Sequence, residues 1–144
     1  MNPIDKRIIK FIRKHHVLNL ATSSDNMPYA ASIFYIYIES ENKLIFASDD
    51  KTRHIQDCIK QPIVAGTIAL ETIFISRIRG IQFKGKVSEI NDEILRKNYI
   101  KRFPLALFIP FKLWVIELHY IKMTDNRLGF GKKIIWEKEL HQIQ

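Results

Sequence analysis

Residues 44–59 read LIFASDDKTRHIQDCI. This stretch changes character twice within sixteen positions, and the reading of the rest of the chain follows from it. Leu44, Ile45 and Phe46 form a short apolar run of strand type. Asp49 and Asp50 are turn and helix-capping types. Ile55, Cys58 and Ile59 then recur at the i, i+3, i+4 spacing of one helical face, so a helix is expected to run to about Lys60. Between strand and helix stand Ser48, Lys51, Thr52 and Arg53. Two hydroxyls and two cations therefore sit beside the free amide groups of a helix start. Exposed N–H donors, the helix dipole and a guanidinium fork all favour a phosphate in such a place. Read alone, the stretch fits an ordinary solvated charged turn better than an anion site.

Upstream, Asn2 and Pro3 suit a helix start, and Ile4, Ile8, Phe11 and Ile12 give an amphipathic helix ending near Lys14. His15 and His16 follow as surface or linker residues. Val17–Thr22 reads as a strand, and Ser23–Asn26 as a turn. Tyr29–Ile38, YAASIFYIYI, is a long strand rich in β-branched and aromatic residues. Its small residues Ala30, Ala31 and Ser32 leave room for a flat ligand to approach backbone. Downstream, Pro62 ends the helix and Ile63–Leu70 is a strand. Ile73–Ile90 is a long strand with Gly80 and Gly85 as bends, the kind of strand that closes a barrel. Asp92 caps a third helix, with Leu95 and Tyr99 inward, ending before Pro104. Leu113–Met123 is a final strand, and the tail carries an apolar Ile134-Ile135-Trp136 cluster. About six strands and three helices, with no repeating βαβ rhythm, predict an α+β fold built on an antiparallel barrel. At 144 residues the chain is expected to form one domain, 1–144.

Composition narrows the function classes. The single cysteine excludes an internal disulfide and a cysteine cage for zinc, and fits the reducing cytoplasm. Cys58, on the apolar face of its helix, is expected to be a buried inert thiol. No apolar run is long enough to span a membrane, and the charged start is not a secretory signal. The net charge of +8 favours anionic partners. Its cations spread over three groups: Lys6–Lys14, Arg96–Arg102 and Arg127–Lys133. None falls in a recognisable nucleic-acid motif, so no nucleic-acid role is expected. GxSxG, HExxH, the P-loop pattern and GxGxxG are all absent. His54, His119 and His141 leave a metal or haem site open without arguing for one. What remains is an anion site at Ser48–Arg53, a strand of small residues, bent strands and aromatics. A flat ring system bearing a phosphate would use all of them, and flavin mononucleotide (FMN) is one such ligand.

Five motifs carry a resemblance over nearly the whole chain: DDKTRH (49–54), VAGT (64–67), IRGIQFKG (78–85), RKNYIKRFP (96–104) and IKMTDNRLGFGKKIIW (121–136). Together they resemble the pyridoxamine 5′-phosphate oxidase-like FMN-binding split-barrel superfamily, closest to a small bacterial subfamily of unassigned function. The resemblance implies a split barrel flanked by helices, working as a homodimer with FMN at the subunit interface. It implies that Ser48 and the Thr52-Arg53-His54 run hold the phosphate. His54 stands where the family has lysine, with Lys51 as the substitute cation. It places Ala31, Ser32, Ile33 and Phe34 along the isoalloxazine, Ser32 being the nearest polar residue to a missing family arginine. Gln82 is the candidate for a glutamine that reaches the cofactor. The partner's tryptophan and arginine correspond to Trp114 or to residues of the Arg127–Trp136 tail. The oxidase's own substrate residues are not recognisable, so its activity is not carried over. The expectation is an FMN-dependent oxidoreductase with an unidentified small-molecule substrate or electron donor. A non-enzymatic module binding flavin or haem is the alternative. No catalytic acid or base is assigned.

Overall fold

The structure, a computed structural model, describes residues 2–139. Helix α1 spans Lys6–Lys14, and Asp5, not Asn2, caps it: the Asp5 carboxylate accepts from the Arg7 N–H at 2.8 Å. Asn2 is used elsewhere. Its side chain donates to the Glu137 carbonyl at 2.9 Å, and its own carbonyl accepts from Trp136 Nε1 at 2.8 Å. Ile8, Phe11 and Ile12 form the buried stripe of α1. Strands β1 (Val17–Ser24) and β2 (Met27–Ile38) make a hairpin. Its two-residue turn, Asp25-Asn26, has φ of 52° and 63°, the left-handed pair a tight hairpin requires. Strand β3 (Lys43–Ser48) follows, then α2 (Arg53–Lys60), β4 (Ile63–Ala69), β5 (Arg79–Ile90), α3 (Glu93–Arg102), β6 (Lys112–Asp125) and β7 (Lys133–Glu137).

Six strands close an antiparallel barrel in the order β3-β2-β1-β4-β5-β6, with β6 pairing back onto β3. This is the α+β split barrel that the order of elements predicts. The tail adds a seventh strand: Ile134-Ile135-Trp136 belongs to β7, which pairs with Tyr120–Thr124. One edge of β6 thus serves β3 up to Glu117 and β7 from Tyr120 onward. The change of partner falls at a bulge, where Lys84 faces Tyr120 and Gly85 faces Leu118. A Cβ at Gly85 would lie 2.5 Å from the Glu117 carbonyl oxygen, so the close approach there needs glycine.

Two other expectations change. The long strand begins at Arg79, not Ile73. Its partner β4 ends at Ala69, which leaves residues 73–78 no ladder to join, and they form a loop with a 3₁₀ turn at Ile75–Arg77. On α2, Ile59 is 60% exposed although it shares the apolar spacing, and Asp57 is 3% exposed instead. The Asp57 carboxylate is satisfied there: Thr22 Oγ1 donates at 2.9 Å and Arg53 Nε at 3.1 Å.

The barrel interior is the main core. Leu18, Leu20, Phe46, Ile81, Phe83, Trp114, Ile116 and Ile121 fill it, with α1 and α2 packed on as plugs. A smaller cluster, centred on Ile45, Tyr99 and Val115, seats α3 on the outside of β3 and β6. The ring of Phe83 occupies the space in front of Gly66, where a Cβ would lie 2.2 Å from Phe83 Cζ and 2.7 Å from the Asn19 carbonyl oxygen. Gly66→Ala is therefore expected to destabilise the chain by about 1–3 kcal/mol through overpacking. Urea denaturation checks it, and Phe83→Leu in the same chain should recover part of the loss.

Candidate functional site

The strand–turn–helix of residues 44–59 opens onto a cleft of about 570 Å³ between β2, the end of β3, the start of α2, and α3 with the segment that follows it. One end is polar. Ser48 Oγ lies 2.7 Å from His54 Nε2 and 3.3 Å from Thr52 Oγ1. The Thr52 hydroxyl donates to the Asp49 carbonyl at 2.8 Å. Thr52 is the N-cap of α2, but its side chain makes no cap bond to the helix. The first amide groups of α2 thus keep their donors for a ligand. The Ser48 carbonyl is pinned by Trp114 Nε1 at 3.1 Å, so the barrel core sets the position of this end.

The other end is apolar and aromatic. Phe34 is 52% exposed and packs on Phe103 with ring centroids 5.1 Å apart. The Tyr99 hydroxyl donates to the Phe34 carbonyl at 3.2 Å and ties α3 to β2. Arg102 also lines the cleft, and no described carboxylate pairs with it.

Of the residues expected from sequence, Ser32, Ile33, Phe34 and Ser48 are brought together here, with His54 and Thr52 beside them. The backbone alternation turns Ala31 inward against the core. Lys51 is exposed on the turn and does not line the cleft. Arg53 stands at the helix start, but its Nε is held by Asp57 and its guanidinium lies 5.4 Å over the Tyr29 ring. Gln82 does not reach the cleft. It lies three strands away, facing Thr67 and Lys122 in a second depression. Trp114 and Trp136 are both buried within their own chain, at 5% and 8% exposure. Arg127 of the tail is bound to the buried Asp125 at 2.8 Å.

Sequence reading missed the aromatic wall from α3 onward, because Tyr99, Phe103 and Phe111 meet Phe34 only through the fold. It also missed Asn19, whose side chain accepts from the Ser32 hydroxyl at 2.8 Å and donates to Thr67 at 3.3 Å. The strict alternation in VLNLATSS, which places Asn19 opposite Leu18 and Leu20 in facing, carried that signal. Among the described residues no three His, Cys, Asp or Glu side chains cluster as a metal site, and His141 lies outside them. Cys58 is buried, as expected, and burial pushes its thiol up to about 11.

Burial lowers the pKa of His54, and of His15 and His119. His54 is thus neutral at pH 7 and offers a hydrogen bond rather than a charge. The unfolded chain, with imidazoles near pH 6.5, takes up protons before the folded chain does. The stability these three contribute is therefore full above about pH 6.5 and is lost as pH falls through that value toward the folded pKa values. A urea midpoint that drops between about pH 7.5 and about pH 5.5, and drops less in His54→Gln, is the expected result.

Barrel topology, the split at β6 and the cleft over the β3–α2 turn define a split-barrel fold flanked by helices. Solved structures agree on the fold. A putative pyridoxamine 5′-phosphate oxidase from Listeria innocua superposes with a TM-score of 0.67 at 15% identity, over 80% of this chain and 93% of that one. An FAD-binding protein from Mesorhizobium loti gives 0.70 at 15%, over 85% and 93%. A heme binding protein from Mycobacterium smegmatis gives 0.73 at 13%, over 94% of this chain and 60% of that one. No family model matches the chain. Full-length relatives do. A UPF0306 protein of Photorhabdus laumondii is 39% identical over 134 residues, covering 91% of this chain and 94% of its own. One from Yersinia pestis is 38% identical over 141 residues, covering 95% and 96%. The chain belongs to the UPF0306 family. No helix among the described residues is long and apolar enough to cross a membrane.

Proposed function

We propose that this protein binds FMN in the cleft over the β3–α2 turn and acts as a flavin-dependent oxidoreductase. The observation that carries the reading is the pairing of one polar end with one aromatic end in a single cleft. Ser48, Thr52, His54 and the uncapped amides of α2 suit a phosphate, and Phe34 with Ser32 suits the edge and face of a flat ring. Arg53 would add its Nη groups while Asp57 holds its Nε, and Lys51 would add charge from the turn. Bound FMN would supply the redox chemistry, and the chain would place and orient it. The Mesorhizobium loti FAD-binding protein, alike in fold, supports a flavin.

The working unit we infer is a homodimer. Leu105, Leu107, Phe108 and Ile109 are 64–82% exposed beside the cleft, an apolar segment that a second copy would cover. Flavin-fluorescence titration tests the main reading. Saturable quenching at one FMN per chain supports it, and no quenching contradicts it. Anaerobic bleaching by NADH or NADPH then separates an oxidoreductase from a carrier.

A second reading is a non-enzymatic module that binds flavin or haem. A neutral, half-buried His54 facing an aromatic cleft favours it, as does the fold shared with the Mycobacterium smegmatis heme binding protein. A Soret band on haem addition that is lost in His54→Ala would select it over the first.

A further inference from the structure

The outward face of the barrel carries a second depression, of about 440 Å³, that the FMN reading does not use. Register alone assembles it. Ser32, Asn19, Thr67, Gln82 and Lys122 stand side by side on β2, β1, β4, β5 and β6, a continuous polar row across five strands. The row beside it runs Ala30, Ala21, Ala65, Lys84 and Tyr120. Three alanines therefore floor the depression, amides and a hydroxyl edge it, and Lys84, Lys122 and the Tyr120 ring close one side.

The charges here are unbalanced. Lys84 and Lys122 are diagonal neighbours on paired strands, within reach of each other for side chains of that length. Lys84 lies over the Tyr120 ring at 5.4 Å, and neither lysine has an ion-pair partner among the described residues. Elsewhere on the barrel Lys43 pairs with Glu41, Lys112 with Asp50 and Glu89, and Lys138 with Glu117, whereas Lys86 and Lys133 are, among the described residues, unpaired like Lys84 and Lys122 but lie outside the depression. Glu137, across from Tyr120 on β7, is the carboxylate nearest in register, yet it makes no ion pair with either lysine. Like charges placed together on a sheet repel, and a dianion between them relieves the repulsion. The alanine floor admits a flat body close to the strands, and Gln82, Asn19 and Thr67 supply donors and acceptors along its edge.

We infer that this depression is a second ligand site, taking a small planar molecule that bears a dianionic group, phosphate or paired carboxylates, held by Lys84 and Lys122. The site is separate from the cleft at Ser48 and does not depend on flavin. The two meet at Ser32, which lines the cleft and donates to Asn19 in the row.

The test uses the purified full chain with no FMN added, titrated with phenyl phosphate in one arm and phthalate in the other. Calorimetry and amide chemical shifts are read together. Expected are saturable binding of at least one probe and shifts centred on Asn19, Thr67 and Gln82. Affinity should fall by about tenfold for each lysine replaced in Lys84→Gln and Lys122→Gln. Both lysines are on the surface, so the fold should be intact, and Lys122→Arg should keep binding. Binding of phenyl phosphate alone identifies a phosphate ligand, and of phthalate alone a carboxylate; either carries the proposal. Binding unchanged in the double variant overturns it. So do shifts confined to Ser48–Arg53, and so does failure of both probes to bind.

Discussion

Trp114→Ala lowers the unfolding free energy by about 3–5 kcal/mol, the range for deleting a large buried aromatic side chain. Trp114 is 5% exposed and sits in the barrel core beside Phe46 and Ile116. Its loss leaves a cavity that neighbouring strands cannot close, because β3 and β6 are locked in register on either side. The indole also holds the Ser48 carbonyl at 3.1 Å. The substitution therefore reaches the cleft as well: a variant that still folds should bind FMN more weakly. Trp114→Phe separates the two effects. It keeps most of the ring volume and loses the hydrogen bond, costing about 1 kcal/mol for the bond itself, plus whatever the smaller ring leaves unfilled. Urea denaturation with an unchanged m-value checks both. A Trp114→Ala chain as stable as the parent would mean that the core is arranged differently from this description.

Arg53→Ala weakens FMN by about tenfold to a hundredfold, or about 1.5–3 kcal/mol, the worth of a charge-assisted bond to phosphate. The structure adds a condition. Arg53 has its Nε committed to Asp57 and its guanidinium over the Tyr29 ring, so Asp57 orients the fork, whose Nη groups would take the phosphate. Asp57→Asn should then weaken FMN by less than Arg53→Ala does. Arg53→Lys should not restore affinity, because an ammonium cannot bond Asp57 and a phosphate with the same planar fork. Fluorescence titration of the three variants decides it. Equal affinity in Arg53→Ala and the parent, with the fold intact, would remove Arg53 from the site.

How much of this was legible beforehand depends on the length scale of each cause. The six barrel strands, the third helix with its Asp92 cap, and buried Cys58 follow from local period and turn chemistry, which residues 44–59 already display. The nearness of Ser48 and Thr52 was legible because both come from one turn, whereas the bond from His54 to Ser48 was not. The seventh strand was not, since an apolar cluster of three residues becomes a strand only when β6 offers a free edge beyond its bulge. Residues 73–78 failed in the opposite way: their strand-like composition finds no partner once β4 has ended. Ile59 lost its place to Asp57 because Thr22 and Arg53, one of them 35 residues away, satisfy a carboxylate there. Gln82 is set by register across four strands, which no local pattern reveals. The aromatic wall of the cleft has the same origin.

The central claim is that a phosphate is held at the start of α2, and parallel titrations of the purified chain with FMN and with riboflavin test it most directly. The two ligands share the ring and differ in the phosphate. FMN is predicted to bind at one per chain and at least about tenfold more tightly than riboflavin, with the preference lost in Arg53→Ala. Equal affinities for the two flavins, or no binding of either, would contradict it.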